Sequence, residues 1–372
     1  MALLDALQDR HRATLVTGAP FEVERLNRAC HTSVDPQKIA VMTAPMPKIL
    51  ARATGGDALR AAFFGRFVRR VAKDFDLCVS AYNFADFGRP GIQFVADFSW
   101  DDAMRRSFDP ASPGLRGAVQ RPGLVRSAYL GFCAVAAGRP MAPVHRRGDV
   151  VVANSHWTAD LLKQHHGLVG PVIYPPVHTP PVGGGERSPD FVMLGRIAPD
   201  KRILEAIDIL ARVRERGHRF DFHVVGRLGA DAYGRQVAEK ARQAGDWVRL
   251  TGGLYGDEKF EFLSRHGFAL HVRKREAFGI AVAEMVKAGL LPFVPGASAP
   301  AEIVGDERLC FEDADKAVAV IDAMLRRPGE IAVIRAELTK RGAMFSRQAF
   351  AKKALELIEE CLATQSVREI PR

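Results

Sequence analysis

The stretch Phe191-Val-Met-Leu-Gly195-Arg196-Ile-Ala-Pro-Asp-Lys201-Arg202 decides how this chain is read. Four apolar residues form a short buried strand. A turn with one glycine and several cations follows, and Ile203 to Arg216 then shows the apolar spacing of an amphipathic helix. Free N–H groups at that helix start, with Arg196 and Lys201 nearby, suit the cradle of a phosphate. Taken alone, cations at such a turn are more often simply solvated.

The same alternation extends outward in both directions. Strand-like runs at Ala13 to Thr17, Lys38 to Met42, Leu77 to Ala81, Gly91 to Val95, Val150 to Ala153 and Val172 to Tyr174 precede it. Others follow at Asp221 to Val225, Val248 to Thr251, Phe268 to His271, Leu290 to Val294 and Leu309 to Phe311. Short β-rich runs separated by amphipathic helices predict an α/β protein with two doubly wound parallel units. Between them Tyr174 to Asp190 holds five prolines and three glycines, which breaks any helix or central strand and marks the domain boundary. The segment Asp101 to Arg126, rich in Arg, Pro and Gly, reads as a long loop or short helices.

The composition fits this reading. At 372 residues, 47% hydrophobic and 26% charged, the chain is long enough for two cores and too apolar for disorder. It has no uncharged apolar run long enough to span a bilayer and no signal-peptide core, which points to a cytoplasmic protein. Its five cysteines include no CxxC pair and read as small hydrophobes. His165-His166 and His145-Arg146-Arg147 lack recognisable metal-ligand spacing and read as surface residues. The net charge is +10, with 22 Lys+Arg against 15 Asp+Glu in residues 1–183. That excess reflects either an anionic partner or an Arg-rich coding bias. No RNP, helix-turn-helix or zinc signature supports a nucleic-acid partner. In Leu59 to Lys73, Phe63, Phe64, Phe67, Val68 and Val71 form an apolar face beside five cations. The segment reads as a helix covering a sheet, with an anionic membrane surface as the alternative partner.

A second motif stands at Glu276-Ala-Phe-Gly279-Ile280-Ala-Val-Ala-Glu284, between the strand ending near His271 and the helix Ile280 to Lys287. It places one carboxylate in the loop and one in the second helical turn. A loop carboxylate can face a ligand's hydroxyls, and the amides of Gly279 and Ile280 can face an anion. Without a ligand, Glu284 reads as a helix-face charge and Glu276 as a charge complementing the dipole. Both motifs follow strand C-terminal ends, where open α/β sheets bind ligands.

Gly195-Arg196 with Lys201, joined to Glu276 and Glu284 in the E-x7-E spacing, resembles the retaining family-4 glycosyltransferases of the GT-B fold. Asn154-Ser-His-Trp157-Thr158, Tyr174-Pro175-Pro176 and Leu270-His271 resemble the subgroup of GDP-mannose-dependent mannosyltransferases acting on dolichol-linked oligosaccharide. The resemblance implies two Rossmann-like doubly wound domains facing a central cleft, over residues 1–180 and 181–345, with a C-terminal helix in 346–372 that packs back on the first. It implies that Arg196 and Lys201 hold the donor diphosphate, with no metal and no cofactor beyond the donor. Glu276 would bind sugar hydroxyls and Glu284 the ribose hydroxyls. Gly195, Phe278, Gly279 and Ile280 would complete the donor site, with Gly279 and Ile280 giving amides to phosphate.

The resemblance further implies a nucleotide diphosphate sugar as donor, GDP- or UDP-linked, and a lipid-linked or polysaccharide acceptor. A location in the cytoplasm, peripheral on the inner membrane face, goes with that acceptor. The first domain departs from the family pattern. Its first strand and glycine-rich loop are expected to be missing, because the chain opens on the helix Ala2 to Gln8. No histidine follows Gly91 to Val95, so Asp97 takes the polar position there as a candidate catalytic residue, with simple solvation or capping as the other reading. The alternative function is a catalytically impaired nucleotide-sugar-binding relative or scaffold.

Overall fold

The computed structural model describes all residues except 21, 48–56, 102, 105–123, 139–146, 181–184 and 369–372. Most of the Asp101 to Arg126 loop, and His145 with Arg146, lie outside the described residues. The chain forms two compact units. One comprises Met1–Asn154, Ala159–Ile173 and Ala351–Arg372, the other Ser155–Thr158 and Tyr174–Phe350.

The second unit is built on six parallel strands: β6 (Ser188–Leu194), β7 (Phe222–Val225), β8 (Val248–Gly252), β9 (His266–Leu270), β10 (Leu291–Pro295) and β11 (Cys310–Phe311). Their order is β11-β10-β9-β6-β7-β8. Connections from β6 run one way to β7 and β8, while β9, β10 and β11 extend the sheet the other way. The order therefore reverses between β6 and β9, and the crevice at such a reversal is where doubly wound sheets bind ligands. Burial on both faces makes these strands continuous apolar runs rather than alternating ones. Phe191, Phe268 and Phe293, on three adjacent strands, stack with ring centroids 5.2 to 6.3 Å apart, and all are almost completely buried.

The helices of this unit are α6 (Ile203–Glu215), α7 (Ala232–Ala244), α8 (Gly256–Ser264), α9 (Ile280–Lys287), α10 (Ala299–Val304), α11 (Ala314–Leu325) and α12 (Pro328–Gly342). Helix α6 buries Ile203, Ala206, Ile207, Ile209, Leu210 and Val213 along one stripe, the i, i+3, i+4 pattern that the sequence displays. Strand β6 begins at Ser188, three residues before the expected start at Phe191. Pro189 is tolerated inside it because the pairing with β9 shifts between Ser188 and Phe191, and such a bulge frees the strand from a hydrogen bond that proline cannot donate.

The first unit carries α1 (Ala2–Leu7), β1 (Ala13–Thr17), α2 (Val23–Cys30), β2 (Ile39–Thr43), α3 (Asp57–Val71), β3 (Val79–Ser80), β4 (Ile92–Val95), α4 (Leu124–Ala136) and β5 (Val150–Ala153). It also receives most of α5 (His156–His166) and of α13 (Arg347–Arg368). Its parallel strands fall into two pieces, β1-β2 and β3-β4-β5. Among the described residues no strand joins them, and every residue of β1 is only partly buried. Val172, read as a strand, makes a single bridge to Ala153.

Helix α3 lays Val68, with Phe64 packed against it, into a cluster containing Ala72, Cys78, Phe87 and Val16. That is the sheet-covering arrangement. Arg147 is a correction to the surface reading of its motif. Its side chain is 5% exposed and pairs at 3.0 Å with Asp149, itself 1% exposed. An ion pair that well buried excludes both side chains from solvent, which the sequence around it does not signal.

Candidate functional site: the crevice at the strand reversal of the second unit

The turn after β6 ends in a short 3-10 segment, Pro199–Lys201, and Arg202 then takes a left-handed φ of 55° before α6 starts. The first amide of α6, on Ile203, donates to the Tyr233 hydroxyl at 2.9 Å. The turn is pressed against the end of β7: a Cβ on Gly226 would lie 2.0 Å from the Gly195 carbonyl oxygen. Only glycine at 226 allows that approach.

Across the crevice, the loop after β9 delivers Glu276. Lys201 Nζ donates to Glu276 Oε2 at 2.7 Å, and both side chains are about five-sixths buried. Arg273 joins them, with Nη1 at 3.6 Å from the same oxygen and 2.9 Å from Asp200 Oδ2. Arg196 reaches Asp200 at 3.6 Å, with its side chain 76% exposed. The result is one chain of alternating charges, Arg196, Asp200, Arg273, Glu276 and Lys201. Burial pushes the Glu276 carboxyl up, but Lys201, Arg273 and His271 together outweigh it and hold the group below its usual value. Glu276 is therefore a carboxylate at neutral pH.

His271 stands 4.0 Å from Glu276 and is almost completely buried, and among the described residues its Nε2 has no hydrogen-bond partner. Burial lowers its pKa to about 4, with the pull of Glu276 upward offset by Lys201 and Arg273. It is neutral at pH 7.

Helix α9 begins at Gly279, which has φ 98° and no side-chain cap. A Cβ there would meet Pro300 Cγ at 3.0 Å. With a left-handed backbone and a tight neighbour, this position requires glycine. Gly279 accepts the amides of Val282 and Ala283 through its carbonyl, which leaves the amides at the start of α9 for a ligand. Glu284, in the second turn, accepts from Lys259 at 2.6 Å.

The loop is anchored from below. Ala277 O accepts from Ser155 Oγ at 2.7 Å and from Thr158 Oγ1 at 3.0 Å. Phe278 is 4% exposed and packs between Tyr174 and Phe345. Its ring therefore fixes the loop rather than presenting a surface to a ligand. Glu302 binds the amides of His156 and Trp157 at 3.0 to 3.3 Å and the Tyr174 hydroxyl at 2.6 Å. Ser155, Thr158 and Tyr174 thus support the loop that carries Glu276, whereas Asn154 lies in the first unit and donates to the Ala96 carbonyl.

Gly195, Arg196, Lys201, Glu276 and Gly279 lie in the turns that follow β6 and β9 at their carboxyl ends, and Ile280 opens α9, whereas Glu284 sits further along α9, paired with Lys259. Asp97 belongs to the first unit, where Tyr82 Oη, Asn83 Nδ2 and the Ser99 amide all donate to it at 2.6 to 2.9 Å. Burial pushes its carboxyl up, but bonds from Ser99, Tyr82 and Asn83 bring it below its ordinary value. Sequence reasoning missed Arg273, Asp200 and Lys259 as partners. The Arg273-Lys274-Arg275 run just before Glu276 was the available signal for the first, whereas Lys259 is 25 residues from its carboxylate and nothing in the sequence links them.

Two α/β units, the second doubly wound with its polar cluster at the strand reversal, define the GT-B fold. Sucrose-phosphate synthase from Thermosynechococcus elongatus superposes with a TM-score of 0.69 at 12% identity, over 97% of this chain and 92% of that one. The Anabaena protein HepE, solved in complex with UDP and glucose, gives 0.63 at 16% identity over 96% and 95%. WaaG, a glycosyltransferase involved in lipopolysaccharide biosynthesis, gives 0.61 at 14% over 93% and 99%.

Residues 180–342, within the second unit, match the family Glycosyl transferases group 1. The chain is also 27% identical over 172 residues to the GDP-Man:Man(3)GlcNAc(2)-PP-Dol alpha-1,2-mannosyltransferase of Candida glabrata. That match takes in 41% of this chain and 34% of the relative, so the chain matches about a third of that protein's length. Among the described residues, no helix is long and apolar enough to cross a membrane.

Proposed function

We propose that the chain is a retaining, metal-independent glycosyltransferase. It takes a hexose, mannose by analogy with the Candida relative, from a GDP- or UDP-linked sugar and transfers it to a lipid-linked or polysaccharide acceptor. The observation that carries this reading is the buried Lys201–Glu276 pair at the strand reversal of a group 1 domain. A buried cation and carboxylate in contact suit a ligand that brings a diphosphate for one and hydroxyls for the other.

In this reading Arg196 and Lys201 turn to the diphosphate, joined by the amides of Gly279 and Ile280 at the start of α9. Glu276, freed from Lys201, accepts hydroxyls of the sugar, and Glu284 accepts those of the ribose. Clustered positive charge and helix dipole stabilise the departing diphosphate in the place of a divalent metal. The acceptor hydroxyl attacks the anomeric carbon on the face the diphosphate leaves. The carbon–oxygen bond to phosphate breaks, the bond to the acceptor forms, and the acceptor proton passes to the leaving phosphate. Working from the cytoplasm at the inner face of a membrane suits a lipid-linked acceptor, and the charge excess of residues 1–183 suits an anionic surface or lipid phosphate there.

Nucleotide release from UDP-, GDP- and ADP-sugars tests the reading. Wild type is expected to release nucleotide from one donor class, and Glu276→Ala to cut that rate at least ~100-fold, the scale of losing one group that acts on developing charge. Absence of binding and release with all three donors, with no effect of Glu276→Ala, overturns it. A second reading, a nucleotide-sugar-binding relative without turnover, is favoured by the hydrogen bonds that already occupy Asp97. Binding with no release in the presence of candidate acceptors selects it.

A further inference from the structure

The amino ends of the same strands carry a separate group of residues that the donor reading does not use. Asp190 on β6, His223 on β7 and His266 on β9 each present one ligand atom, and these atoms lie within 4.8 Å of one another. His223 Nε2 is 4.0 Å from Asp190 Oδ2, and the two imidazoles sit with ring centroids 4.7 Å apart. Because the strands are parallel, this cluster and the Lys201–Glu276 pair are at opposite ends of the sheet. About five residues of β6 separate them, roughly 16 Å at ~3.3 Å per residue.

We propose that Asp190, His223 and His266 bind one divalent transition-metal ion of the zinc class, with water completing the coordination. Two imidazoles and one carboxylate from separate strands are the donor set that such an ion prefers. Bonds of about 2.0–2.2 Å to a tetrahedral ion put ligand atoms about 3.3 Å apart, so small side-chain rotations close the cluster onto it.

The surroundings are those of a built site. His266 Nδ1 lies 2.7 Å from the Phe262 carbonyl, to which it donates, which fixes the tautomer and leaves Nε2 with its lone pair for an ion. Asp190 Oδ1 accepts the Asp221 amide at 2.7 Å, which leaves Oδ2 toward His223. Such outer bonds orient ligands at metal centres. Phe262 packs on both rings, with centroids 5.3 Å from His223 and 4.3 Å from His266, giving the site an apolar wall. The register shift between Ser188 and Phe191 falls beside Asp190, and bulges commonly re-aim one side chain out of the pleat. The bound ion ties the starts of three strands together. Its role is to hold the sheet, so it takes no part in the donor chemistry at the other end.

The full-length chain, stripped with EDTA and desalted, is titrated with Zn²⁺ by calorimetry and assayed for bound metal after gel filtration. The expected result is one ion per chain and a higher Tm with Zn²⁺. Asp190→Asn and His223→Gln are each expected to weaken binding at least tenfold and to remove the Tm increment, while His165→Gln, on an exposed residue, leaves both unchanged. Absorption of the Co²⁺-loaded wild type needs no variant to fold, and visible bands of a four- or five-coordinate nitrogen and oxygen site are expected. Absence of stoichiometric binding, equal binding by wild type and the two ligand variants, or a Co²⁺ spectrum like that of the hydrated ion overturns the proposal.

Discussion

At the scale of single residues, His271 and Glu276 make the second unit acid-sensitive in two separable windows. Burial holds the His271 pKa near 4 in the folded chain, against ~6.5 unfolded. The unfolded state therefore binds more protons between those values, and stability falls as pH drops from about 6.5 to about 4, by roughly 3 kcal/mol in all. Glu276 has its folded value below the unfolded one. Its contribution is present above the unfolded value of ~4.3 and is lost as pH falls through the folded one. Urea unfolding from pH 7 to 4.5 is expected to show declining stability in wild type and a flatter profile in His271→Gln. An unchanged slope in that variant counts against the buried neutral imidazole. Lys201→Ala removes the contact partner of a buried carboxylate, so it is expected to raise the Glu276 pKa and lower donor affinity together. Titration of Glu276 by carboxyl NMR and a binding isotherm check the two effects.

At the scale of elements, two contacts hold the crevice in shape. Glu302 on α10 satisfies the first amides of α5 and the Tyr174 hydroxyl at once. Glu302→Ala strands these donors and is expected to cost roughly 1–3 kcal/mol, read from denaturant midpoints at unchanged m-value. The β6 turn and the end of β7 meet at Gly226, where a methyl group falls on the Gly195 carbonyl oxygen. Gly226→Ala is expected to lower Tm, by roughly 2–4 °C for each kcal/mol lost in a unit of this size, and to weaken donor binding, because the turn that holds Arg196 and Lys201 must move. A melting curve like that of wild type contradicts the close approach. Of these elements, β6, α6 and α9 were legible in the sequence, since apolar spacing and the glycine turns define them directly. The start of β6 was not, because Pro189 argues against a strand unless the bulge is known. Arg147 was misread for a related reason: its buried partner Asp149 is visible only once the fold packs both side chains away from water.

At the scale of the whole molecule, binding of the donor nucleotide is expected to stabilise the second unit. A nucleoside diphosphate at 100 times its dissociation constant adds about 2.7 kcal/mol to the folded state. Hydrogen exchange is expected to slow in residues 195–202 and 276–284, with little change in β1 and β2. Uniform protection, or none, argues against a donor site at the strand reversal. The sequence by itself determined the α/β class and the two-unit organisation, because period and turn chemistry are local properties of a chain, while the joining of Gly195-Arg196-Lys201 to Glu276 and Glu284 rested on a resemblance to a known family. The tertiary structure alone decided which charges meet. Asp200, Arg273 and Lys259 join the site, Phe278 turns into the core, and Asp190, His223 and His266 converge at the far end of the sheet. Strand order brings together residues separated by dozens of positions, and no local pattern along the chain encodes that adjacency.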